Sequence, residues 1–448
     1  MPDDTANSGR RVAVVGAGIS GLSAAISLHS AGYDVDLFDR DTVLGGRFGV
    51  AKLGERSIML GGKNIGHKYT AFRSFVGTLG DFDYEPFGIN QSMMKDDKVL
   101  AVDSSRRRRT LGNIRKMGSF RDLTRLALMA ARIRANEANK FLGSSYFTAL
   151  SRRYDHAPLS SHFSKSLTKV LLRPMTVRMN GAEPDEVYLG TFGTNLALLM
   201  DTYDQLKNGI HSVLDEAAKR VQARLNTQVE GIVVRDGQVV GLRISEDGKQ
   251  PTEENYDGVV IATPAYATAQ ILAAECPVLS KRLFEVQYFP TTVILVEYDR
   301  PMFSSAVRAL AMDDGGPCSN AGAYGMEDLH IVRYTFSGRS ARIFSDPSDE
   351  QIEEWVGAAE KRLTETLGMG QAKRVRRVAR NWKAGYSAYL PYHGEFLAEV
   401  RSAIAAIPGL ELAGDYLFGV SIEACSRSGQ AAAAALSEHL PRRFPASA

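Results

Sequence analysis

Residues 12–22 read VAVVGAGISGL, four apolar residues that run into the spacing G-x-G-x-x-G. The apolar residues predict a buried parallel strand, and residues 20–31 have the composition of a helix. A second strand follows over residues 34–38 and ends at Asp39, which lies 18 residues after Gly21. Strand, glycine turn, helix, strand and acid in this order predict a dinucleotide-binding βαβ unit.

The residues of the glycine turn have separate physical tasks. Gly16 allows the tight turn, Gly18 lets a pyrophosphate approach the backbone, and Gly21 lets the helix pack closely on the strand. The helix begins near Ser20, where free N–H groups and a partial positive charge favour phosphate. Asp39 stands where such units carry the acid that binds a ribose. The alternative is a glycine-rich turn in another α/β fold.

The residues after Asp39 resemble those of the flavin-dependent amine oxidase superfamily, which includes monoamine oxidases, protoporphyrinogen oxidases and phytoene desaturases. Arg40 is followed shortly by Gly45, Gly46 and Arg47. The two glycines let the backbone pass close to a phosphate or a flavin ring, and the arginine adds a cation beside it. The resemblance therefore implies FAD as the cofactor.

Two later segments resemble the same family. Residues 257–264, DGVVIATP, read as an apolar strand that ends near Thr263, and residues 410–415, LELAGD, end in a Gly-Asp pair. In the family the acid of this pair, here Asp415, hydrogen-bonds the ribityl chain. The next helix, near Ser421, points its N terminus at the flavin pyrimidine. The resemblance thus covers nearly the whole chain.

Pattern and resemblance together give a set of predicted FAD contacts. In this family the strand that carries Val229 uses backbone groups to hold adenine, and residues 61–67 run beside the flavin ring. The predicted contacts are Gly16, Gly18, Ser20, Gly21, Asp39, Arg40, Gly45, Gly46, Arg47, Gly62, Val229, Thr263, Gly414, Asp415, Ser421 and Ile422. No cysteine occurs from Trp382 to Gly409, where monoamine oxidases attach their flavin, so we expect non-covalent FAD.

Candidates for catalysis come from the same regions. The resemblance implies that Lys63, Asn64 and His67 lie beside the flavin ring and tune it or hold substrate. The alternative is a polar loop that satisfies its own backbone. Tyr389, with Tyr386, is a candidate for an aromatic wall over the flavin, and the alternative is ordinary core packing.

The C-terminal region resembles protoporphyrinogen oxidase through Trp382, Tyr389, His393 and the Pro-Gly-Leu run at 408–410. The prolines that accompany this tryptophan in the family are absent. His393 is interpreted either as an active-site base or as a hydrogen-bonded core histidine, and we favour the second. Val293 occupies the position at which amine oxidases carry a lysine near the flavin.

Composition sets further limits. A chain of 448 residues is too long for one core and suits two interleaved domains. Hydrophobic residues make up 44% and charged residues 23%, as in ordinary globular proteins, and a net charge of +3 gives no case for a nucleic-acid partner. Three widely spaced cysteines argue against a disulfide framework and a metal site and fit a reducing cytoplasm. The polar segment MPDDTANSGRR lacks the apolar stretch of a signal peptide.

We expect an α/β fold in which a doubly wound, Rossmann-like FAD-binding domain is interleaved with a mixed α+β substrate domain. The sequence assigns residues 10–102, 206–264 and 407–448 to the first domain, and residues 103–205 and 265–406 to the second. It contains no second strand–G-x-G-x-x-G–helix unit, which favours an enzyme whose own substrate reduces the flavin.

A basic cluster begins at Arg106–Arg109, and the segment up to residue 134 has a basic amphipathic pattern. One interpretation is contact with an anionic membrane surface. The other, which we favour, is a solvated loop and a helix whose apolar face packs on the substrate domain.

The predicted function is two-electron oxidation or desaturation of an organic small molecule by hydride transfer to FAD, with oxygen or another acceptor removing the electrons. One alternative is a protoporphyrinogen oxidase or carotenoid desaturase proper. Others are a non-redox flavin-dependent isomerase or mutase and a non-catalytic escort protein on the same fold. We expect a cytoplasmic protein.

Overall fold

The structure is a computed structural model that describes residues 9–87, 90–95, 98–103, 107–246, 249–312, 315–368, 370 and 372–440. Its strands, in chain order, are β1 (Arg11–Val15), β2 (Asp34–Phe38), β3 (Val50–Leu53), β4 (Arg56–Met59), β5 (Ile65–Gly66), β6 (Tyr84–Pro86), β7 (Asn90–Lys95), β8 (Lys98–Asp103), β9 (Tyr203–Leu206), β10 (Gln222–Arg224), β11 (Thr227–Arg235), β12 (Gln238–Glu246), β13 (Thr252–Asn255), β14 (Gly258–Ile261), β15 (Gln287–Tyr298), β16 (Ala309–Ala311), β17 (Cys318–Ala323), β18 (Ile331–Phe336), β19 (Arg374–Ala388) and β20 (Leu410–Leu412). Its α-helices are α1 (Ile19–Ser30), α2 (Thr70–Leu79), α3 (Arg107–Ile114), α4 (Phe120–Ala135), α5 (Ser145–Tyr154), α6 (Lys165–Leu167), α7 (Arg173–Asn180), α8 (Phe192–Leu198), α9 (His211–Arg220), α10 (Ala265–Leu272), α11 (Pro277–Phe284), α12 (Asp349–Leu367), α13 (His393–Ala405), α14 (Asp415–Phe418) and α15 (Ile422–His439).

A parallel sheet with the strand order β10-β2-β1-β14-β20 carries the glycine motif. Successive residues of β1 enter two different cores. Val12 and Val14 pack with α1 and α15, whereas Ala13 and Val15 pack with β11, β12 and α10. Because both faces of the sheet are covered, residues 12–15 are all apolar and read as one continuous run, whereas Arg11 lies at the exposed start of the strand. The predicted doubly wound arrangement is confirmed.

A second sheet has the order β19-β15-β18-β17-β16-β7-β8 and is antiparallel except where β16 meets β7. Alternation along β15 turns Ile294 and Val296 toward α12, with which they share a core. The opposite face of β15 carries Thr291 and Val293. This face lines the cavity described below.

The packing of strands and helices crosses the sequence-based domain boundaries in two places. β7 and β8 join the second sheet, although the sequence assigns residues up to 102 to the FAD-binding segment. α10, α11 and α13 pack in the core of the parallel sheet, although they fall within residues 265–406. Composition does not reveal either arrangement, because the packing partners are remote in sequence.

The basic segment forms α3 and α4, and Arg106 lies outside the described residues. The helices α4, α5, α7 and α8 form a helical layer with a shared core. α4 buries Leu126, Met129 and Ile133 in this core, so its apolar face is packed within the protein. Phe120 at its start is 87% exposed. In the part of the chain that the structure describes, no helix has both the length and the apolar character needed to cross a membrane.

Candidate active site

A cavity of about 320 Å³ lies where the carboxyl ends of β1, β14 and β20 face the second sheet. The predicted cofactor contacts that line it are Gly18, Ser20, Gly45, Arg47, Gly62, Thr263, Gly414, Asp415, Ser421 and Ile422. The second sheet and the helical layer contribute further lining side chains, among them Arg178, Thr291, Arg308, Asn320, Arg333 and Tyr386.

The glycine turn borders this cavity. A Cβ added at Gly18 meets no atom within 4 Å, so open space lies in front of this backbone at the start of α1. Gly16 has a φ of +102°, and a Cβ on Gly21 would lie 1.7 Å from the Gly16 carbonyl oxygen. Gly46 has a φ of +50°, and a Cβ added to it would lie 3.4 Å from the Gly18 Cα. The backbone therefore leaves room for a phosphate group beside the N terminus of α1.

Asp39 supports this turn from the end of β2. Its Oδ2 accepts a hydrogen bond from the Ala17 N–H at 2.6 Å, and its Oδ1 accepts one from the Asp41 N–H at 2.9 Å. Burial raises the pKa of Asp39, and the two N–H groups oppose that rise. The Thr227 N–H donates to the Asp39 carbonyl oxygen at 2.9 Å, which ties the start of β11 to the acid.

Val229, Arg40 and Asp39 do not line the cavity itself. Val229 is buried in β11, where it pairs with Ile244 just before an irregularity in the ladder. Arg40 is exposed. Of the three, Asp39 contacts the glycine turn, through the Ala17 N–H.

Arg47 and Asp415 bind each other on the cavity wall. The Arg47 Nη1 lies 2.6 Å from the Asp415 Oδ2, and the Tyr288 hydroxyl donates to the Asp415 Oδ1 at 2.7 Å. Burial is the largest single effect and works against the Arg47 charge, but the charge and hydrogen bond of Asp415 together with Tyr288 and Cys425 raise the pKa of Arg47. Tyr288 carries no sequence signal of this role, because it lies on β15, far from both partners in the chain.

The N terminus of α15 also faces the cavity. The Ser421 Oγ accepts a hydrogen bond from the Ala424 N–H at 3.1 Å and caps the helix, and Ile422 and Cys425 line the wall. A Cβ on Gly62 would lie 3.5 Å from the Ile422 side chain. The positive end of an 18-residue helix thus points at the space between these residues.

The catalytic candidates from residues 61–67 lie in different environments in the structure. Lys63 and Asn64 line the cavity, but His67 does not. The His67 side chain is 54% exposed, and its Nε2 lies 2.9 Å from Asp204 on β9. His67 follows the short strand β5, whose pairing with β9 leaves this imidazole on the outer surface.

Lys63 is buried at 4% exposure. Its Nζ donates to the Gln205 Oε1 at 2.8 Å and to the Tyr324 carbonyl oxygen, and it lies 3.6 Å from the centre of the Phe87 ring. Burial, with the charge of Arg333 next, lowers the pKa of Lys63 well below its usual range. The ammonium is thus already enclosed by protein groups.

The two aromatic candidates also lie in different environments. Tyr386 lines the cavity, whereas Tyr389 is buried outside it, with its ring 5.1 Å from that of His393. The His393 Nε2 lies 2.8 Å from the Tyr416 carbonyl oxygen, and burial lowers the pKa of His393 to about 4. His393 is therefore a core residue. Val293 does line the cavity, so the position of the family's lysine holds an apolar side chain here.

Sequence reasoning missed three arginines. Arg178 lies on α7, Arg308 just before β16 and Arg333 on β18, and all three line the cavity. The Arg333 Nη1 donates to the Gly61 carbonyl oxygen at 3.1 Å. Burial lowers the pKa of Arg178 and of Arg333, and the charge of Arg333 lowers that of Arg178 further. No local motif marks them, since each comes from a different element.

A second cavity of about 370 Å³ adjoins the first. Both are lined by Tyr69, Leu198, Tyr203, Val420 and Ser421. The Tyr69 and Tyr203 rings meet edge to face with centroids 6.0 Å apart. These two side chains thus form part of the wall between the cavities.

A parallel sheet of the dinucleotide-binding type faces a second sheet across one cavity, and in such sheets a nucleotide binds at the carboxyl ends of the strands. The sequence profile described as flavin containing amine oxidoreductase matches residues 19–437, and the chain belongs to this family. The chain therefore belongs to a family of flavin-dependent oxidoreductases. The resemblance inferred from the motifs is confirmed.

Matches to individual proteins either cover a short segment or have low sequence identity. The chain is 49% identical over 55 residues to "Protoporphyrinogen oxidase 2, chloroplastic/mitochondrial" of Arabidopsis thaliana, a match that covers 12% of this chain and 9% of that protein. Cyclohexylamine oxidase from Brevibacterium oxydans IH-35A has a similar structure, with a TM-score of 0.72, 18% identity, and coverage of 96% of this chain and 99% of that one. An oxidoreductase from Methanosarcina mazei matches with a TM-score of 0.66 at 14% identity over 94% and 99% of the two chains. These structural likenesses establish the fold.

Proposed function

We propose that the chain binds FAD non-covalently and uses it to remove two electrons, as hydride, from an organic small molecule. The observation that carries this proposal is one cavity bordered by Gly18 at the start of α1, by the Arg47–Asp415 pair and by the Ser421 end of α15. Two helix N termini and a glycine turn supply N–H groups suited to a ligand with phosphates and with a ring whose carbonyl oxygens accept hydrogen bonds.

The predicted contacts divide by the part of FAD that each would hold. Gly16, Gly18, Ser20 and Gly21 form the pyrophosphate turn, and Asp39 with Arg40 lies at the ribose. The Val229 backbone suits adenine, and Asp415 with Arg47 suits the ribityl chain. The remaining contacts suit the flavin ring: Gly45, Gly46, Gly62, Thr263, Gly414, Ser421 and Ile422.

Non-covalent attachment is supported by the state of Cys425. This thiol lines the cavity, and burial raises its pKa to about 12, so it stays protonated at neutral pH. A thiol rather than a thiolate is a poor nucleophile. Cys276 and Cys318 are buried outside the cavity.

The flavin, when bound, supplies the acceptor for two electrons and a hydrogen from the substrate. The chain's own residues then orient the substrate and exclude water. Thr291 and Val293 of β15 and Tyr386 of β19 form a largely apolar wall. Among the described residues of this wall, Val293 is apolar and Lys63 is enclosed by protein groups, so the proposed chemistry does not use a lysine at the Val293 position.

Anaerobic mixing of the holoenzyme with primary amines, α-amino acids and organic carboxylates, without added reductant, tests this proposal. We expect one class to bleach the flavin and air or a dye to restore its colour. If instead these compounds are converted only after the flavin has been reduced chemically, the protein is an isomerase and the proposal is wrong.

A further inference from the structure

The outer face of α4 is apolar, as its buried face is. Leu126, Met129 and Ile133 point into the core of the helical layer, which leaves the opposite side of the helix in solvent. Residues that follow one another at helical spacing on this side are all exposed. We call them the outer stripe: Phe120, Thr124, Ala127, Leu128, Ala131 and Ala135. Thr124 is its single polar member, and Phe120 and Leu128 are 87% and 62% exposed.

Arginines border the outer stripe on both sides. Because a helix turns by about 100° per residue, Arg121 and Arg132 lie along one edge and Arg134 along the other, and all three are exposed. Arg125 follows Arg121 on the same side. Arg125 and Arg132 contact a carbonyl oxygen and aromatic rings. Among the residues that the structure describes, no carboxylate forms an ion pair with any of these four arginines, so their charges are not neutralised by the protein.

The acids of the surrounding sequence are few and already bound. Residues 104–140 contain nine arginines and two lysines, with Asp122 and Glu137 as the acids. Asp122 is buried and caps the start of α4 together with Ser119. Glu137 lies 2.9 Å from Arg427. The outer stripe is therefore an exposed apolar strip in a strongly basic segment.

An anionic lipid surface fits both properties of the stripe. Its apolar side chains can enter the boundary between headgroups and acyl chains, while the arginines at its edges reach the lipid phosphates. A second copy of this chain fits less well. A symmetric contact through the same stripe would set the arginines of one copy against those of the other, which is unfavourable.

We propose that the outer stripe of α4 binds an anionic membrane surface, with the helix lying in the plane of that surface. Arg134 stands at the edge of the stripe and also lines the second cavity, together with Ile133. Binding thus places one side of this cavity, which shares wall residues with the first, beside the lipid. The inference is independent of the proposed function, because membrane binding requires no turnover.

Co-flotation of the purified holoenzyme with lipid vesicles tests the proposal. Vesicles of phosphatidylcholine alone are compared with vesicles of equal parts phosphatidylcholine and phosphatidylglycerol, at low and at high salt. We expect the partition coefficient at low salt to be at least about tenfold higher for the anionic vesicles, because each arginine near an anionic surface strengthens binding several-fold. We expect high salt to weaken this binding. Equal partition into both kinds of vesicle, or no flotation with either, overturns the proposal.

Two double variants identify the binding groups. Phe120→Gln with Leu128→Gln removes the apolar contact, and Arg121→Gln with Arg134→Gln removes charge from both edges. Because all four side chains are exposed, we expect both variants to fold and to bind the anionic vesicles about tenfold or more weakly. Val278→Gln is the matched control, since Val278 is 80% exposed on α11, outside the helical layer.

Parent-like flotation of either double variant overturns the proposal. Sedimentation velocity supplies a second criterion. If the parent forms a dimer that the variant changed at Phe120 and Leu128 does not form, a second copy covers the outer stripe and the assignment to a membrane surface is wrong.

Discussion

Arg47 and Asp415 stand 368 residues apart in the chain, yet their side chains form an ion pair of 2.6 Å on the cavity wall. The sequence predicts each as a separate FAD contact. The structure joins them, and Tyr288 holds the second oxygen of Asp415 at 2.7 Å. The pair therefore fixes the orientation of the Asp415 carboxylate and ties the glycine-rich N-terminal region to the C-terminal one.

Asp415→Asn tests this link. It removes the counter-charge of Arg47 while keeping the shape of the side chain, so we expect a loss of about 2–3 kcal/mol in the free energy of unfolding and at least a tenfold weaker hold on flavin. Urea denaturation and flavin retention on ultrafiltration measure the two effects. Asp346→Asn is the control, because Asp346 pairs with Lys383 on the surface and such pairs contribute little. Parent-like stability and flavin retention in Asp415→Asn would contradict the account.

Asp39→Ala tests the acid at the end of β2. This carboxylate accepts the Ala17 N–H of the glycine turn, so its loss loosens the turn as well as removing the proposed ribose partner. We expect the Kd of the apoprotein for FAD to rise about tenfold or more. Asp41→Ala is the matched control, because Asp41 bonds Asp39 through its backbone N–H, which the substitution retains. Equal affinity in the two variants would remove Asp39 from the cofactor site.

His393 gives the protein a pH-dependent stability. Its pKa falls to about 4 on folding, from an ordinary value near 6.5, because the ring is buried. Between these values the unfolded chain binds the proton and the folded chain does not, so stability falls as the pH drops from about 6.5 toward 4. The contribution amounts to up to about 3 kcal/mol.

His393→Gln checks this origin, since glutamine can still donate to the Tyr416 carbonyl oxygen but does not titrate. We expect the difference in unfolding free energy between parent and variant to change over this pH range and to level off above it. A constant difference from pH 4 to pH 7 would show that His393 does not titrate as described.

His67→Ala and Asn64→Ala separate the two ends of the segment at residues 61–67. Asn64 lines the cavity, whereas His67 is 54% exposed beside Asp204. We expect Asn64→Ala to shift the flavin spectrum or weaken FAD binding several-fold, and His67→Ala to change neither. A large effect from His67→Ala alone would restore it as an active-site residue.

Local pattern decides how much of this protein can be predicted from its sequence. Residues 12–22 predict the first strand, turn and helix because a strand buried on both faces and a phosphate turn need particular residues next to one another. The arginine cluster escapes prediction because Arg178, Arg308 and Arg333 meet only through sheet pairing. An isolated arginine in a sequence is typical of a surface position.

His67 and Tyr389 show the same limit at closer range. Each lies within a few residues of a cavity-lining side chain, Asn64 or Tyr386, but the local backbone turns it elsewhere. Position in a motif thus predicts proximity to the site, while the direction of the side chain depends on pairing with strands such as β9 that the motif does not contain.

The visible absorption spectrum of the purified protein, recorded before and after acid denaturation and filtration, tests the central claim most directly. The account predicts a flavin spectrum, with the entire chromophore released into the filtrate and identified there by chromatography as FAD. Flavin that stays with the precipitated chain, a released cofactor other than FAD, or a colourless protein that does not take up added FAD would contradict it.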